Sequence, residues 1–345
     1  MGTLKRLSLI KDIIAKENTK SKNPNSRILF IEHPKPQYLE EITGSSITYT
    51  SNFKNRIDLA LEFNVALDES EIKLFDCVVV TVSKSREESK ILISTGFSKV
   101  KPPGLLIIEG EKKDGIDGTL KITNKKIPIS SIESASHGKF GLFRVELKQK
   151  RIFDDWFELK KPKINANKFF TVPGLFSHKK VDRGSLFLAN NFKNKLSGDV
   201  VDLGAGWGVL SKYALETNSA IKSITLIENN KIALDMAKLN VKGLKTRFLW
   251  SDLVLGTQIW KNFDVAICNP PFHNGSKLDF ELSFSFVRMA SRLLKRNGVL
   301  WLVANIQLPY EFYIKKCFFD IKILKDDGAF KIILAKNPKF DKLTR

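Results

Sequence analysis

The segment GDVVDLGAGWGVL, residues 198–210, decides the fold of the second half of this 345-residue chain. Its first six residues are mostly β-branched or apolar, which favours a buried strand. Glycines then stand at every second position, 204, 206 and 208, before a stretch that suits a helix. A strand, a tight turn and a helix N-terminus form a place where a ligand can approach bare backbone. The segment therefore predicts a ligand-binding unit of an α/β sheet.

The spacing of the glycines separates the ligands that use such turns. A phosphate-binding P-loop needs Lys and Ser or Thr after its last glycine, whereas Val209 and Leu210 stand here. A dinucleotide fingerprint needs a glycine where Val209 stands. The pattern that remains, Asp-x-Gly-x-Gly-x-Gly, resembles the S-adenosylmethionine (SAM) loop of class I methyltransferases. This resemblance implies a SAM site that includes Asp202, Gly204, Ala205, Gly206 and Gly208.

Acidic residues follow the next two predicted strands. Residues 223–228 suit a strand that ends in Glu228, and residues 245–250 suit a strand that is followed by Asp252. A carboxylate at the first position can accept both hydroxyls of a ribose. We expect Asp252 beside the adenine amino group. Solvated acids often end strands, but their place in this series favours a nucleoside site.

A second informative segment is FDVAICNPPFHNG, residues 263–275, in which an apolar run stops at an amide, two prolines and an aromatic ring. Asn269 offers a side-chain oxygen as an acceptor. Pro270 and Pro271 have a fixed φ and no N–H, so they stiffen the loop and present carbonyls. Phe272 can stack on a base. The combination suits a site that holds a flat base by its amino group; a plain strand with a Pro-Pro turn is the alternative.

The remaining elements of the second half complete one plan. Residues 229–240, 279–294 and 309–317 suit helices, and residues 299–304 suit a buried strand. Residues 320–324 and 329–335 suit an antiparallel hairpin. We therefore expect an α/β catalytic domain over residues 165–345, with a seven-stranded, mostly parallel sheet and a closing hairpin. One edge of this sheet would carry the glycine loop, Glu228, Asp252 and Asn269.

The first half echoes this architecture without its chemistry. FDCVVV at 75–80 is similar to FDVAIC at 263–268, and KPPGLLII at 101–108 is similar to KRNGVLWL at 295–302. No glycine-rich loop is present, and Thr-Val-Ser-Lys replaces Asn-Pro-Pro-Phe. We expect a degenerate Rossmann-like methyltransferase domain over residues 1–155, for RNA recognition or structure, and a β-rich connecting segment over about 111–165.

Composition narrows the class of protein. The formal net charge of +20 favours a polyanionic partner, most simply nucleic acid, although abundant Lys, Asn and Ile also suggest AT-rich coding sequence. Among the basic clusters, we expect Lys179 and Lys180 near the substrate. The three cysteines and four histidines show no ligand spacing, so we expect no metal site. No apolar run reaches membrane-span length and no signal peptide is evident, which predicts a cytoplasmic protein.

The chain resembles the bacterial ribosomal RNA small subunit methyltransferase C family, with its large-subunit relative, methyltransferase G, close behind. The matching segments are TVPGLFS at 171–177, DRGS at 182–185, the glycine loop, NPPFHNG at 269–275, VAN at 303–305 and LPY at 308–310. The family implies two tandem methyltransferase-like domains, of which only the second is active. It also implies SAM as the cofactor and methylation of guanine N2 in ribosomal RNA. We expect a small-subunit substrate and a monomer.

The residues then suggest a mechanism. The side-chain oxygen of Asn269 and the carbonyl of Pro270 would accept the two hydrogens of the guanine amino group, while Phe272 stacks on the flipped base. Transfer is an in-line displacement that depends on positioning and needs no strong base. Pro271 and His273 would contact substrate, although His273 could equally well pack internally.

Other functions remain open at this point. The same loop serves adenine N6 methylation, glutamine N5 methylation of release factors, or a large-subunit guanine. The glutamine enzymes usually carry Tyr in place of Phe272, and the charge favours nucleic acid. A catalytically silent RNA-binding protein is the alternative outside enzymes, and the intact glycine loop argues against it.

Overall fold

Two compact units make up the described chain in this computed structural model, Met1–Pro162 with Val172–Gly174, and Lys163–Thr171 with Leu175–Arg345. The structure describes residues 2–21, 27–32, 46–52, 64–65, 74–135, 137–149, 151–243, 245–254, 263–271, 273–274, 277–278 and 280–339.

The first unit contains seven described strands and four described helices. The strands are β1 (Ile28–Ile31), β2 (Ser46–Tyr49), β3 (Asn64–Val65), β4 (Phe75–Thr81), β5 (Val100–Glu111), β6 (Ile129–Ala135) and β7 (Gly138–Val145). The helices are α1 (Gly2–Ser21), α2 (Arg86–Lys99), α3 (Ile116–Asn124) and α4 (Asp154–Phe157). Short 3₁₀ turns cover Lys112–Asp114, Leu147–Gln149 and Glu158–Lys160.

The first sheet has the strand order β3-β2-β1-β4-β5-β7-β6. The first five of these strands are parallel, and β7 is antiparallel to both β5 and β6. The sequence predicts a connecting segment over about 111–165, but residues 129–145 instead form the closing hairpin of this sheet. The cause is the apolar strand β7, which buries Phe140, Leu142 and Phe143 in the core.

The second unit follows with eleven strands and five helices among the described residues. The strands are β8 (Lys163–Ile164), β9 (Phe170–Thr171), β10 (Gly198–Leu203), β11 (Ile221–Glu228), β12 (Thr246–Trp250), β13 (Phe263–Cys268), β14 (His273–Asn274), β15 (Lys277–Leu278), β16 (Leu294–Asn305), β17 (Phe318–Asp326) and β18 (Phe330–Pro338). The helices are α5 (Arg183–Phe192), α6 (Val209–Thr217), α7 (Lys231–Asn240), α8 (Phe280–Leu293) and α9 (Tyr310–Cys317).

The main sheet of the second unit has the order β12-β11-β10-β13-β16-β18-β17. The strands β12, β11, β10, β13 and β16 are parallel, and β18 runs antiparallel to both of its neighbours. The predicted seven-stranded, mostly parallel sheet with a closing hairpin is therefore confirmed. The pairs β8–β9 and β14–β15 form two small antiparallel sheets beside it.

The two main sheets share their strand order and one irregularity. In the second sheet Phe263 pairs with Leu294 and Val265 pairs with Val299, so residues 295–298 bulge out of strand β16. In the first sheet Phe75 pairs with Val100 and Cys77 with Leu105, which leaves an equal bulge in β5. The sequence predicts that Asn297-Gly298 ends a helix, whereas this turn lies inside the strand. The repeated architecture confirms the expectation of two tandem Rossmann-like domains.

Both main sheets are covered by helices on both faces. Alternate residues of a strand point to opposite sides, and apolar residues on both sides need helices to bury them. In the second unit Val201 and Leu203 belong to one buried cluster with α8, whereas Val200 belongs to another with α5 to α7. In the first unit Ile10 and Ile14 of α1 cover one face of the sheet. Helices α2 and α3 cover the other face.

A carboxylate follows the central strand β1 of the first unit. Glu32 follows β1 with a φ of 55°, where Gly204 follows β10 with a φ of 69°. The Glu32 carboxylate accepts hydrogen bonds from the Ser51 amide at 2.8 Å and the Thr50 hydroxyl at 3.0 Å, and burial raises its pKa. These bonds link the ends of β1 and β2. A carboxylate therefore occupies the edge where the second unit keeps a glycine turn.

Candidate functional site

The glycine loop and the Asn269 loop leave the sheet from neighbouring strand ends. Strands β10 and β13 are adjacent and parallel, and Leu203 pairs directly with Cys268. Adjacent strands lie about 4.8 Å apart, so the residues that follow these two positions begin side by side. This edge is the carboxyl end of the parallel strands, where open α/β sheets bind their ligands.

The backbone of the glycine loop is fixed by hydrogen bonds. The amides of Gly204 and Ala205 donate to the carbonyl of Ile227 at 2.9 and 3.0 Å, which ties the loop to the end of β11. Gly206 has a φ of 54°, and a side-chain carbon placed there would find no atom of a described residue within 4 Å. The backbone at Gly206 therefore faces open space that a ligand could fill.

The buried side-chain amide of Asn240 connects the glycine loop to strand β9, and the sequence did not predict this contact. The Asn240 side-chain nitrogen donates to the carbonyls of Trp207 and Phe170, both at 2.8 Å. Its oxygen accepts from the Phe170 amide at 2.7 Å. The Phe169 ring packs edge-to-face on Trp207 with centroids 5.1 Å apart. These contacts hold the strand β9 against the loop.

Asp202 is a buried carboxylate with one unsatisfied oxygen. Its Oδ2 accepts from the Ser211 hydroxyl at 2.6 Å and from the Ser211 amide at 3.1 Å. Its Oδ1 is buried and has no hydrogen-bond partner in the described part of the chain. Burial, with a smaller contribution from the charge of Glu228, raises the pKa of Asp202 to about 7. The two bonds from Ser211 join the end of strand β10 to the first turn of helix α6, so Asp202 fixes the glycine loop between them.

Glu228 is oriented by backbone amides at the end of β11. Its Oε2 accepts from Gly206 N and its Oε1 from Asn230 N, both at 2.8 Å. Each carboxylate oxygen can accept a second hydrogen bond, so the side chain keeps acceptor sites for two hydroxyls. Burial raises the pKa of Glu228.

Asp252 lies next to Glu228 at the same edge. The Ser251 amide donates to the Glu228 carbonyl at 3.0 Å, which joins the two strand ends. Asp252 is 4% exposed, and its Oδ1 accepts from the Val254 amide at 2.7 Å. The proposed ribose and adenine contacts therefore stand side by side on successive strands.

Asn269 is held by two side chains that precede or begin helix α5. Its Nδ2 donates to Asp182 Oδ2 and to Ser185 Oγ, both at 2.8 Å. An ionised carboxylate can only accept, so the amide must turn its nitrogen toward Asp182. Both amide hydrogens are then used, and Oδ1 is left as an acceptor.

Asp182 also caps helix α5. Its carboxylate accepts from the amides of Gly184 and Ser185 at 3.0 and 2.8 Å. The sequence predicts no catalytic function for Asp182 or Ser185. An acid immediately before a helix-compatible segment predicts an N-cap, but it does not predict a contact with Asn269.

The rest of the Asn269 loop is partly described. Pro270 is buried, and Pro271 is half-buried with its carbonyl accepting from Ser283 Oγ at 2.6 Å. Phe272 lies outside the described residues. His273 begins the short strand β14, and its side chain lies outside the described part of the structure.

The predicted basic pair lies just before Asp182. Lys179 and Lys180 are both exposed. Phe176 is 76% exposed, and its carbonyl accepts from Trp207 Nε1 at 2.8 Å. The segment before α5 therefore contacts the glycine loop at Trp207 and the Asn269 loop through Asp182.

The residues at this edge have the donors and acceptors that SAM needs. The backbone at Gly206 borders open space among the described residues, and the carboxylates of Glu228 and Asp252 lie at adjacent strand ends. No group of three or more His, Cys, Asp or Glu that could hold a metal occurs among the described residues. Within those same residues, no helix is long and apolar enough to cross a membrane.

Family models match both halves of the chain. Residues 166–334 match the methyltransferase small domain, and residues 19–159 match the N-terminal domain of the methyltransferase small domain proteins. Two similar proteins are both named ribosomal RNA small subunit methyltransferase C. That of Shewanella pealeana is 30% identical over 80% of this chain and 81% of its own length. That of Psychromonas ingrahamii is 28% identical over 85% of this chain and 80% of its own.

A solved structure has a similar fold. It is the T. thermophilus 16S rRNA N2 G1207 methyltransferase in complex with AdoMet and guanosine, with a TM-score of 0.76 and 21% identity. The match covers 91% of this chain and 89% of that one. At this identity the likeness shows that the two chains share a fold.

Proposed function

The chain belongs to the ribosomal RNA small subunit methyltransferase C family, and we propose that it transfers a methyl group from SAM to N2 of a guanine in small-subunit ribosomal RNA. One observation carries the chemical part of this proposal. Both amide hydrogens of Asn269 are taken by Asp182 and Ser185, so its oxygen is presented as an acceptor beside the glycine loop.

The acceptor oxygen explains how a weak nucleophile can react. The lone pair of a guanine amino group is delocalised into the ring, which makes the planar nitrogen unreactive. We propose that Asn269 Oδ1 and the Pro270 carbonyl accept its two hydrogens and favour a pyramidal nitrogen. SAM, when bound, supplies an electrophilic methyl group. Attack of the guanine nitrogen on that methyl carbon would break the carbon–sulfur bond and release S-adenosylhomocysteine, and the proton lost from the nitrogen would pass to solvent water.

Positioning supplies most of the catalysis in this scheme. Because the amide of Asn269 is fixed by two hydrogen bonds, little reorganisation is needed when the base arrives. Phe272 would stack on the flipped guanine, and Pro271 would line the base pocket. Lys179 and Lys180 would contact phosphates next to the target nucleotide, as would His273 if it faces the RNA.

The cofactor residues divide into three groups by the part of SAM they would hold. The backbone of Gly204, Ala205, Gly206 and Gly208 would pack against the methionine moiety, with Asp202 near its positive charge. Glu228 would accept the ribose hydroxyls. Asp252 would accept from the adenine amino group.

We further propose that the catalytic domain spans residues 165–345 and that residues 1–155 form a degenerate domain with an RNA-binding or structural function. Glu32 supports the second assignment, because a hydrogen-bonded carboxylate stands where the second unit has Gly204, the first residue of its glycine turn. We propose a cytoplasmic monomer.

Transfer of tritium from labelled SAM tests the function directly. Undermodified small subunits, large subunits and protein-free ribosomal RNAs are offered as substrates, and the labelled nucleosides are identified. We expect N2-methylguanosine from the small-subunit RNA. Label confined to N6-methyladenosine, to large-subunit RNA or to protein would contradict the proposal.

A further inference from the structure

A basic cleft opens in the first unit, and none of its lining residues is assigned to methyl transfer. It has a volume of about 490 Å³. Four of its lining residues are cationic and one is acidic. These residues are Lys84, Arg86, Lys121, Lys125 and Asp114.

The cleft lies at the carboxyl edge of the first sheet. Lys84 lies between strand β4 and helix α2, and Arg86 begins α2. Lys121 lies on α3, which follows β5, and Lys125 comes directly after α3. The N-terminus of α2 contributes Arg86 to the cleft, so the partial positive charge of this helix end adds to the side-chain charges. In the second sheet the equivalent strand, β13, carries the Asn269 loop.

The four cations are available to an external partner. All four side chains are exposed, and none forms an ion pair with a described residue, although neighbouring Lys139 pairs with Asp117 of α3. Unpaired like charges around one cleft repel each other, and a bound anion relieves that repulsion.

The cleft lacks the groups proposed to hold SAM and guanine in the second unit. Thr81 stands at the strand position of Asn269, and its hydroxyl donates to buried Glu109 at 2.7 Å. Among the described residues, no aromatic side chain lines the cleft to stack on a base. Several exposed cations without a base-reading group suit the phosphates of a nucleic acid backbone.

We propose that this cleft, formed by Lys84, Arg86, Lys121 and Lys125, binds the phosphate backbone of the ribosomal RNA substrate and anchors it to the first unit. The inference rests on the proposed function for the identity of the RNA. It adds an RNA-binding site to the degenerate domain, at the sheet edge that corresponds to the catalytic edge of the second unit.

The test uses the full-length protein and protein-free small-subunit ribosomal RNA. The variant Lys121→Glu with Lys125→Glu changes two exposed side chains, one on helix α3 and one directly after it. We expect its Kd for the RNA to rise about tenfold and the salt dependence of log Kd to fall by about 2, since each lost phosphate contact removes roughly one from the slope. The Kd for SAM and kcat at saturating RNA should not change.

A matched control separates this site from the general positive charge. Lys101 and Lys148 lie at the opposite edge of the same sheet, where β5 begins and β7 ends. Lys101→Glu with Lys148→Glu makes the same change in net charge and should leave the RNA Kd within about twofold of wild type. A second cleft variant, Lys84→Glu with Arg86→Glu, should reproduce the shift from the other wall.

Two outcomes would overturn the cleft proposal, and a third would overturn only the function proposed above. An unchanged RNA Kd in both cleft variants, or an equal loss in the control, would show that the cleft does not hold the RNA. Weaker binding to assembled subunits with unchanged binding to protein-free RNA would indicate a ribosomal protein contact instead. If the wild-type protein binds the RNA through the cleft but labels no guanine N2, the function proposed above fails while this site stands.

Discussion

Asn269 Nδ2 lies 2.8 Å from Asp182 Oδ2, although 87 residues separate the two in the chain. The carboxylate accepts one amide hydrogen, and Ser185 Oγ accepts the other at 2.8 Å. The contact sets the orientation of an amide whose oxygen would otherwise be free to exchange places with its nitrogen. Asp182 therefore acts as a positioning residue for the group that would hold the guanine.

Asp182→Asn tests this positioning. Asn caps helices about as well as Asp, so the stability of α5 should be retained. The new amide can donate, which allows Asn269 to turn its oxygen inward. We expect kcat to fall about 100-fold while the Kd for SAM is unchanged. Quenched methyl-transfer assays measure kcat, and calorimetry measures the Kd for SAM.

Asp327→Asn is the matched control for that substitution. Asp327 pairs with Arg183, the residue next to Asp182, and has no contact with Asn269 in the described structure. Its kcat should remain within about twofold of wild type. Equal losses in the two variants would show that Asp182 acts only through the local fold.

Gly206→Ala should raise the Kd for SAM, with a smaller effect on the free energy of unfolding. The new methyl group would meet no atom within 4 Å in the part of the chain that the structure describes, but it would enter the space proposed for the cofactor. The φ of 54° adds strain of about 1 kcal/mol for a non-glycine residue. Gly328→Ala, at a φ of 82° and equally open, carries the same strain without a ligand nearby. A comparable loss of SAM affinity in both variants would argue against the assigned site.

The buried carboxyl of Asp202 predicts a pH-dependent stability. Its pKa rises from 3.8 in the unfolded chain to about 7 in the fold, so between these values the folded protein holds a proton that the unfolded chain lacks. Its contribution to the unfolding free energy is therefore greatest at low pH and is lost as pH rises toward 7. Asp202→Asn removes this dependence.

Thermal or urea unfolding without SAM measures the effect. Relative to wild type, Asp202→Asn should become more stable as pH rises from about 4 to 7, by on the order of 1 kcal/mol per pH unit. A difference between the two proteins that does not change with pH would show that Asp202 titrates normally.

Much of this site was predictable because its chemistry lies at strand ends. The glycine loop, Glu228, Asp252 and Asn269 each follow a short apolar run, and the parallel order of the strands brings them to one edge. The links between them were not predictable. Contacts such as Asn240 with Trp207 join residues 33 apart in the chain, and they depend on how loops pack in three dimensions.

The first unit was harder to predict for a related reason. Strand β6 is exposed along most of its length, so its polar sequence SSIES resembles a loop. Only the pairing of apolar β7 with β5 shows that this region completes the sheet. The bulges after Val100 and Leu294 were likewise hidden, because a turn sequence inside a strand looks like an element boundary.

The most direct test of the central claim is methyl transfer by Asn269→Ala under single-turnover conditions, with SAM affinity measured by calorimetry on the same preparation. If the Asn269 oxygen holds the guanine amino group beside the cofactor, the rate of N2-methylguanosine formation should fall at least about 100-fold while the Kd for SAM stays within about threefold. An unchanged rate of transfer would contradict the account, because the Asn269 oxygen would then not hold the nitrogen that receives the methyl group.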